Sequence, residues 1–198
     1  MKHIVIDARN RRSSTGRYTD RLIHYLQENP GIFSYTILVH PDDPWRPSSN
    51  VFNRVSCTYS QFSLSPFEQV NFVRMLYKLK PDIVHFTMPQ QPIFYFGRKV
   101  TTLHDLTFLK YPRRNKSNIL IFKVKFLLYK FLLRLALYSS SSIIVPSKYV
   151  AEDLANLHPF TQKKTTVTYE ASEPLIAGKA TPLEGVSKPF IFHTGSPF

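Results

Sequence analysis

The sequence has very little cysteine and few acidic residues. Cys57 is its only cysteine, which excludes a disulfide framework and a cysteine-based zinc site. Its 13 Asp and Glu residues stand against 26 Lys and Arg, for a formal net charge of +13. Such an excess of positive charge favours an anionic partner, namely nucleic acid, a lipid headgroup or a phosphorylated substrate.

The start of the chain lacks a long apolar run. Only Ile4, Val5 and Ile6 precede the charged Asp7, and this is too short for the hydrophobic segment of a signal peptide. The single cysteine agrees with a reducing compartment. We therefore expect a cytoplasmic protein. An apolar share of 43% over 198 residues predicts a folded domain rather than disorder.

Short β-branched runs alternate with helical patterns along the chain. The predicted strands cover residues 4–6, 35–39, 55–59, 83–86, 100–103, 142–145 and 165–169, and the predicted helices cover 17–27, 65–80, 117–138 and 148–157. The first strand, Ile4-Val5-Ile6, is a continuous apolar run rather than an alternating one, as expected when both faces of a sheet are covered. This order predicts an α/β fold with a Rossmann-like, doubly wound, mostly parallel sheet.

The last part of the sequence differs in character. We assign residues 1–176 to this α/β domain and residues 177–189, which contain Pro and Gly and lack periodicity, to a linker. Residues 190–198 resemble one more strand that runs into a glycine turn. Because a lone strand cannot bury itself, we expect it to open a second domain that the chain does not contain.

Ligands of doubly wound sheets bind at the carboxyl ends of the strands. Two such places in this sequence carry residues that could bind a ligand or transfer a proton. Gly16 precedes the first helix, and a backbone without a side chain at a helix N-terminus suits a phosphate group. No dinucleotide or P-loop spacing surrounds it, so an ordinary turn is the alternative. His104 and Asp105 follow the strand at 100–103. An imidazole there can exchange a proton near neutral pH, while Asp105 can orient it or bind sugar hydroxyls; a packed loop histidine is the alternative.

Other catalytic and metal patterns are missing from the sequence. No pair of histidines has the spacing of metal ligands, so we expect no protein-bound metal. No Gly-x-Ser-x-Gly elbow indicates a hydrolase. Nucleic-acid binding is disfavoured because the chain lacks helix-turn-helix spacing, zinc ligands and an RNP-type aromatic strand.

The predicted helix at 117–138 is apolar on most sides and bordered by basic residues. These are Arg113, Arg114, Lys116, Lys123, Lys130 and Arg134. The charges argue against a transmembrane span and suit a helix that lies on an anionic membrane surface. The alternative is a core helix whose lysines extend to solvent. We expect one face in the core and the basic face near lipid.

Five motifs in order carry a resemblance to a known family. They are Asp7-Ala8-Arg9 with Thr15-Gly16-Arg17-Tyr18-Thr19, then residues 81–86, residues 102–108, residues 143–149 with Tyr169-Glu170, and residues 189–197. Together they resemble family 4 of the retaining glycosyltransferases with the GT-B fold, over nearly the whole chain. The last motif is similar to the strand that opens the second domain of that family.

The resemblance implies an acceptor-side domain whose partners are a nucleotide-diphospho-sugar and a lipid-linked or saccharide acceptor. Gly16 and Arg17 would contact the donor diphosphate, His104 would line the cleft beside sugar and acceptor, and Asp105 would support it. Transfer of a hexose would keep the anomeric configuration without a metal or other cofactor. Such enzymes commonly work at the inner face of a membrane, as a peripheral protein.

The family's paired glutamates and diphosphate-binding basic residues belong to a C-terminal donor domain. We therefore expect the chain alone to turn over little or nothing. It is then either one subunit of a split enzyme or a fragment cut at the domain boundary. The alternative function is a non-catalytic module that docks another glycosyltransferase or a membrane assembly.

Overall fold

A computed structural model describes residues 1–12, 16–59, 65–112, 118–171 and Gly185. The strands are β1 (Lys2–Asp7), β2 (Phe33–Val39), β3 (Phe52–Ser56), β4 (Ile83–Phe86), β5 (Lys99–Thr102), β6 (Ser142–Val145) and β7 (Thr165–Val167). The helices are α1 (Gly16–Glu28), α2 (Pro66–Lys78), α3 (Thr107–Lys110), α4 (Ile119–Ser139) and α5 (Lys148–Leu157), with a 3₁₀ helix at Pro159–Lys164. Apart from Gly185, the expected linker and final strand lie outside the described residues.

The seven strands form one parallel sheet in the order β3-β2-β1-β4-β5-β6-β7. Ile6 of β1 pairs with Ile37 on one side and His85 on the other. The chain thus builds outward from β1 in one direction and then from β4 in the other. This confirms the predicted Rossmann-like sheet, and it places a topological switch point between β1 and β4.

Most predicted elements match the structure closely, and the third strand does not. We expected it at 55–59, but it runs over Phe52–Ser56. Phe52 is buried, whereas Asn53 is exposed, so the apolar run is interrupted where the strand begins. At the edge of a sheet a strand needs only half of its side chains in the core, and the apolar pattern is correspondingly weak.

The sheet separates the apolar side chains into clusters on its two faces. The α1 face joins Ile23 of α1 to alternating strand residues such as Ile6 and Ile37. On the opposite face, Phe72 and Leu76 of α2 pack on Val5, Val84 and Phe86, and Leu133 and Leu137 of α4 pack on Ile143 and Val145 together with α5. Neighbouring residues of one strand therefore serve different cores, as the two-residue period of a strand requires.

The connection from β4 to β5 is unusual for a doubly wound sheet. Residues 87–98, all of them described, form turns and no helix. The segment is fixed by Tyr95, which is buried against Phe86. A Cβ on Gly97 would lie 2.2 Å from the Tyr95 hydroxyl oxygen, so glycine is needed where the chain passes over the ring. The helical layer on this face is consequently interrupted between α2 and α4.

Helix α4 is anchored at its C-terminal end. Leu133, Ala136 and Leu137 are its buried residues. Lys164 donates from Nζ to the backbone carbonyls of Leu137, Tyr138 and Ser140 at 2.7, 2.8 and 2.9 Å, which satisfies carbonyls that a helix end leaves open.

The first turns of α4 lie on the surface instead. Asn118 caps the helix by accepting from the Leu120 amide at 2.8 Å. Leu120, Val124 and Leu127 are 68%, 67% and 69% exposed. None of the described helices is long and apolar enough to cross a bilayer.

Candidate active site

A cleft of about 950 Å³ lies between α1 and strands β1, β2, β4 and β6, and the segments that follow β5 and β7 also line it. It extends along the α1 face of the sheet to the carboxyl ends of the strands, next to the switch point. Among the residues that line it are Arg17, Tyr18, His85, His104, Asp105 and Glu170. The structure therefore brings Arg17, His104 and Asp105 of the sequence prediction into one cleft.

The segment between β1 and α1 is braced by ion pairs. Arg9 binds Asp7 through two hydrogen bonds, Nε to Oδ1 at 2.8 Å and a terminal nitrogen to Oδ2 at 2.7 Å. Arg11 forms a similar pair with both oxygens of Asp43 and also contacts Asp20. Burial acts to raise the pKa of Asp43, but its bonds from Arg11 and the Trp45 amide outweigh this and hold it below the ordinary value.

Gly16, the first residue of α1, has a structural requirement of its own. A Cβ there would lie 2.1 Å from the backbone oxygen of Asn10 and 2.5 Å from the backbone of Arg11. The helix thus begins in direct contact with the chain that leaves β1. This close approach explains why the residue is glycine, and the role with a donor diphosphate remains a prediction. Arg17 is exposed at the cleft beside it.

His104 is held on both ring nitrogens. Nε2 donates to the Thr87 backbone carbonyl, 3.1 Å away, and Nδ1 lies 3.2 Å from a carboxylate oxygen of Glu170. Both partners are acceptors, so a ring protonated on both nitrogens donates to each of them. Tyr18 packs edge-on against the imidazole, with 5.0 Å between ring centroids. The His104 side chain is 17% exposed, so its ring is oriented by contacts and still open to the cleft.

A second histidine, His85, fixes the position of Tyr18 through a hydrogen-bonded chain. His85 donates from Nε2 to the Thr102 hydroxyl at 2.8 Å, and that hydroxyl donates to the Tyr18 hydroxyl at 3.3 Å. Burial lowers the pKa of His85 to about 4, so it is neutral at physiological pH. Burial also raises the pKa of Tyr18. This uncharged chain fixes the tyrosine that packs on His104.

Glu170, and not Asp105, contacts His104. Asp105 is exposed and accepts from the Thr107 amide at 2.7 Å, in the first turn of α3. The carboxylate that meets His104 is Glu170, just beyond β7. Sequence reasoning did not place Glu170 in the site, because the pairing of β5, β6 and β7 was needed to bring residues 104 and 170 together. The available signal was a Glu directly after a strand.

Other predicted residues lie elsewhere or outside the described chain. Lys123, Lys130 and Arg134 are exposed on α4, which packs on the face of the sheet opposite α1. Arg113, Arg114 and Lys116 lie outside the described residues. Within the described ranges, no three His, Cys, Asp or Glu side chains are grouped to hold a metal ion.

A parallel sheet in this order, with a cleft at the carboxyl ends of its strands, defines a Rossmann-like domain of the kind that forms half of a GT-B fold. The sequence from residue 15 to residue 171 matches the model of Glycosyltransferase Family 4. The chain therefore belongs to this glycosyltransferase family. No protein of curated function matches the sequence significantly.

Solved structures with a similar fold include sucrose-phosphate synthase from Thermosynechococcus elongatus, at a TM-score of 0.51 and 12% identity, over 86% of this chain and 90% of that one. A ugt transferase from Siraitia grosvenorii, in complex with UDP, has a TM-score of 0.49 and 12% identity over 85% of this chain. The lipopolysaccharide outer core galactosyltransferase WaaB has a TM-score of 0.49 and 14% identity over 87%. The chain spans 47% and 46% of the last two structures.

Proposed function

We propose that this chain is the acceptor-side domain of a retaining glycosyltransferase that acts at a membrane surface. The enzyme transfers a hexose from a nucleotide-diphospho-sugar to a lipid-linked or saccharide acceptor, and it requires a C-terminal donor domain. One observation carries the proposal. His104 is held between Thr87 and Glu170 in the cleft beside the N-terminus of α1, so an oriented proton donor and an anion-attracting helix end face the same space.

The cleft residues divide the work by their chemistry. Nε2 of His104 stays on the Thr87 carbonyl, and Nδ1 exchanges the exposed Glu170 carboxylate for a hydroxyl of the sugar or acceptor. The orientation of the ring is set before substrate arrives, which lowers the entropic cost of reaching a reactive geometry. The guanidinium of Arg17 and the start of α1 attract the negative diphosphate. Tyr18 and the neutral His85 keep the imidazole in place without adding a competing charge.

Helix α4 supports the membrane part of the proposal. Leu120, Leu127 and Phe131 follow a helical spacing and are 68%, 69% and 60% exposed, which forms an outward apolar face. Lys123 and Lys130 each follow a leucine of this face by three residues, so they border the face along one side. An apolar face flanked by lysines is suited to the interface of an anionic bilayer.

The transfer proposal is tested in the source cells. A strain that lacks the gene is complemented with wild type, His104→Ala or, as a matched control, His158→Ala, whose ring packs on Phe160 away from the cleft. Membranes from each strain receive a panel of radiolabelled nucleotide-hexoses, and transfer into lipid and saccharide is counted. Loss of an oriented proton-donating group is expected to lower transfer by about 100-fold or more, with little effect in the control.

The outcomes separate the two candidate functions. If transfer depends on the gene but survives His104→Ala at equal protein levels, the cleft does not perform the chemistry, and a docking module for another glycosyltransferase is favoured. Dependence on the gene together with loss in His104→Ala supports an acceptor domain. The partner that carries the donor domain is then the protein or chain segment that copurifies with this activity.

Membrane binding is tested separately by flotation with vesicles. Lys123→Gln with Lys130→Gln is compared with Lys78→Gln and Lys148→Gln, two exposed lysines elsewhere that lower the net charge equally. Each lysine near an anionic surface contributes about 1 kcal/mol, so the first pair is expected to weaken binding to phosphatidylglycerol vesicles about 30-fold. Equal losses from both pairs would contradict a surface centred on α4.

A further inference from the structure

A second, apolar groove of about 580 Å³ lies on the face of the sheet opposite the cleft. It occupies the gap between α2 and α4, where residues 87–98 take the place of a crossover helix. Its walls are largely the hydrocarbon side chains of Leu128, Leu132, Phe108, Pro92 and Ile93. Its volume is in the usual range of small-molecule sites, about 300 to 1,000 Å³.

The groove is long as well as apolar. Its lining along α4 runs from Lys125 to Ser139, which is about 20 Å at 1.5 Å of rise per helical residue. One leaflet of a bilayer is about 15 Å of hydrocarbon, half of the roughly 30 Å core. The groove is thus long enough to hold one extended lipid chain.

A buried ammonium group lies in this apolar surrounding. Lys99, the first residue of β5, is 2% exposed. Its Nζ donates to the Tyr95 carbonyl at 2.7 Å and lies 5.9 Å from the centre of the Tyr95 ring. No described carboxylate pairs with it, although an ammonium has three donors. Burial lowers its pKa to about 8, and the group remains mostly charged at neutral pH.

Unpaired amide groups lie in the wall of the same groove. In the part of the chain that the structure describes, Gln91 leaves both Oε1 and Nε2 without a hydrogen bond, and Gln90 leaves Oε1. All three atoms are closed off from bulk solvent. A buried polar atom without a partner is costly, and a cation without an anion more so. The groove is therefore apolar along its length and lacks an anionic, hydrogen-bonding partner at Lys99 and Gln91.

We propose that this groove binds one long-chain fatty acid, with its carboxylate at Lys99 and the Gln91 amide and its hydrocarbon chain along α4. The carboxylate supplies the missing charge and accepts from the Gln91 NH₂ group. The chain covers the leucines of α4 and removes their surface from water. The site is on the opposite face of the sheet from His104, so its occupancy does not depend on the proposed sugar transfer.

The outer surface of α4 offers a route to the groove. Leu128, in the groove wall, is 38% exposed, and it adjoins the outward face formed by Leu127 and Phe131. An apolar path thus leads around the helix from the surface to the groove interior. A fatty acid can move along this path without its chain crossing a polar surface.

The test is a binding titration on the purified full chain. Displacement of the fluorescent fatty acid cis-parinarate by myristate below its micellar concentration is followed by fluorescence, and calorimetry gives the stoichiometry. One saturable site is expected. Lys99→Met is expected to weaken myristate binding about tenfold or more, the range for a lost charged hydrogen bond, with binding of methyl myristate unchanged.

A second pair of variants tests the place of the chain. Leu132→Trp fills the groove and is expected to abolish parinarate binding, whereas Leu127→Trp, on the outward face, leaves it intact. Thermal unfolding of each variant confirms that it is folded before it is titrated.

Three results would overturn the inference. They are a wild type that binds no more parinarate than Leu132→Trp, equal myristate affinity in wild type and Lys99→Met, and displacement by submicellar phosphatidylglycerol as effective as by myristate. The last result would assign the groove to a phospholipid chain instead of a free fatty acid.

Discussion

The two openings of this domain lie at opposite ends and on opposite faces of the same strand. His104 follows the carboxyl end of β5 and faces the cleft beside α1, whereas Lys99 begins β5 and lies in the groove beside α4. The end of the cleft at His104 collects His, Arg, Tyr and Glu side chains, while Ile and Leu side chains line the rest of the cleft. The groove is walled largely by Leu, Phe and Pro. One short strand thus supplies a polar site at one end and a nearly apolar one at the other.

This difference follows from where the helical cover is interrupted. Strand ends expose backbone groups and loop side chains, so an opening there is polar and suits a charged substrate. A gap between helices over the middle of a sheet exposes side chains of the hydrophobic core, so an opening there is apolar. Two interruptions of the same architecture therefore suit different ligands, and each has its own buried titratable base, His85 or Lys99.

The largest effect is expected on the cleft side, from Gly16→Ala. A Cβ 2.1 Å from the Asn10 backbone oxygen forces α1 and the preceding chain apart, at a cost of more than about 3 kcal/mol in the free energy of unfolding. Gly31→Ala is the control, since its Cβ meets only ring atoms of Phe33 from 3.6 Å outward and its φ of +62° costs about 1 kcal/mol. Urea unfolding measures both. Equal losses would show that the close contact at Gly16 has no energetic weight.

The groove side is tested by the pH dependence of Lys99→Met. The folded-state pKa of Lys99 is lowered from 10.5 to about 8, so the unfolded chain binds more protons between these values. The contribution of Lys99 to the free energy of unfolding therefore rises with pH between pH 8 and pH 10.5, by about 3 kcal/mol for the full shift.

The variant is expected to be more stable than wild type at pH 7, with the difference disappearing by about pH 10.5. Denaturant unfolding at several pH values gives both curves. Parallel curves would mean that Lys99 is solvated in the folded protein, and the contrast between the two sites would then lose its physical basis.

The corresponding test in the cleft uses His85→Gln, which keeps a hydrogen-bond donor for Thr102. The folded-state pKa of His85 is about 4 against an ordinary 6.5, so wild-type stability is present above pH 6.5 and is lost as the pH falls to 4. Between pH 7 and pH 4 the wild type is expected to lose about 3 kcal/mol more than the variant. Acid unfolding of both proteins measures the difference. An identical acid response would place His85 in contact with water.

The smallest effect concerns the two capped helices on the groove face. Asn118 caps the exposed start of α4, and Ser147 caps α5 by accepting from the Val150 amide at 3.2 Å. Each substitution by Ala costs about 1 kcal/mol locally. Ser147→Ala is expected to lower global stability, whereas Asn118→Ala only speeds hydrogen exchange in the first turn of α4. A global loss from Asn118→Ala would show that this turn folds cooperatively with the core.

Much of the sheet could be predicted from the sequence because most strands carry a short β-branched run, such as Ile83-Val84 or Ile143-Ile144-Val145. The strands at Ile83–Phe86 and Ser142–Val145 and the helix at Lys148–Leu157 match their predicted bounds. Pro81 lies two residues before the first strand, Pro146 follows the second, and the capping Ser147 directly precedes the helix. The edge strand Phe52–Ser56 was misplaced because Asn53 and Arg54 interrupt its pattern. The short helix α3 was not predicted because one turn carries no periodicity.

The site was only partly predictable. His104 and Arg17 share the cleft because both follow strand ends, which local sequence can show. Glu170 was missed as the partner of His104, because this contact joins residues 66 positions apart through the order of three strands. The groove at Lys99 was missed for a similar reason. An apolar helix predicts burial, and only the packing shows that the first half of α4 is exposed on one side and lines a cavity on another.

The anchoring of α4 at one end has a consequence for how such a domain can change over generations. Lys164 and the buried Leu133 and Leu137 fix the last turns, while the first turns make few demands on the sheet. Substitutions or changes of length near residue 119 can therefore accumulate with little risk to folding. The same scaffold can thus acquire new surface preferences in this helix while the strands that carry His104 stay as they are.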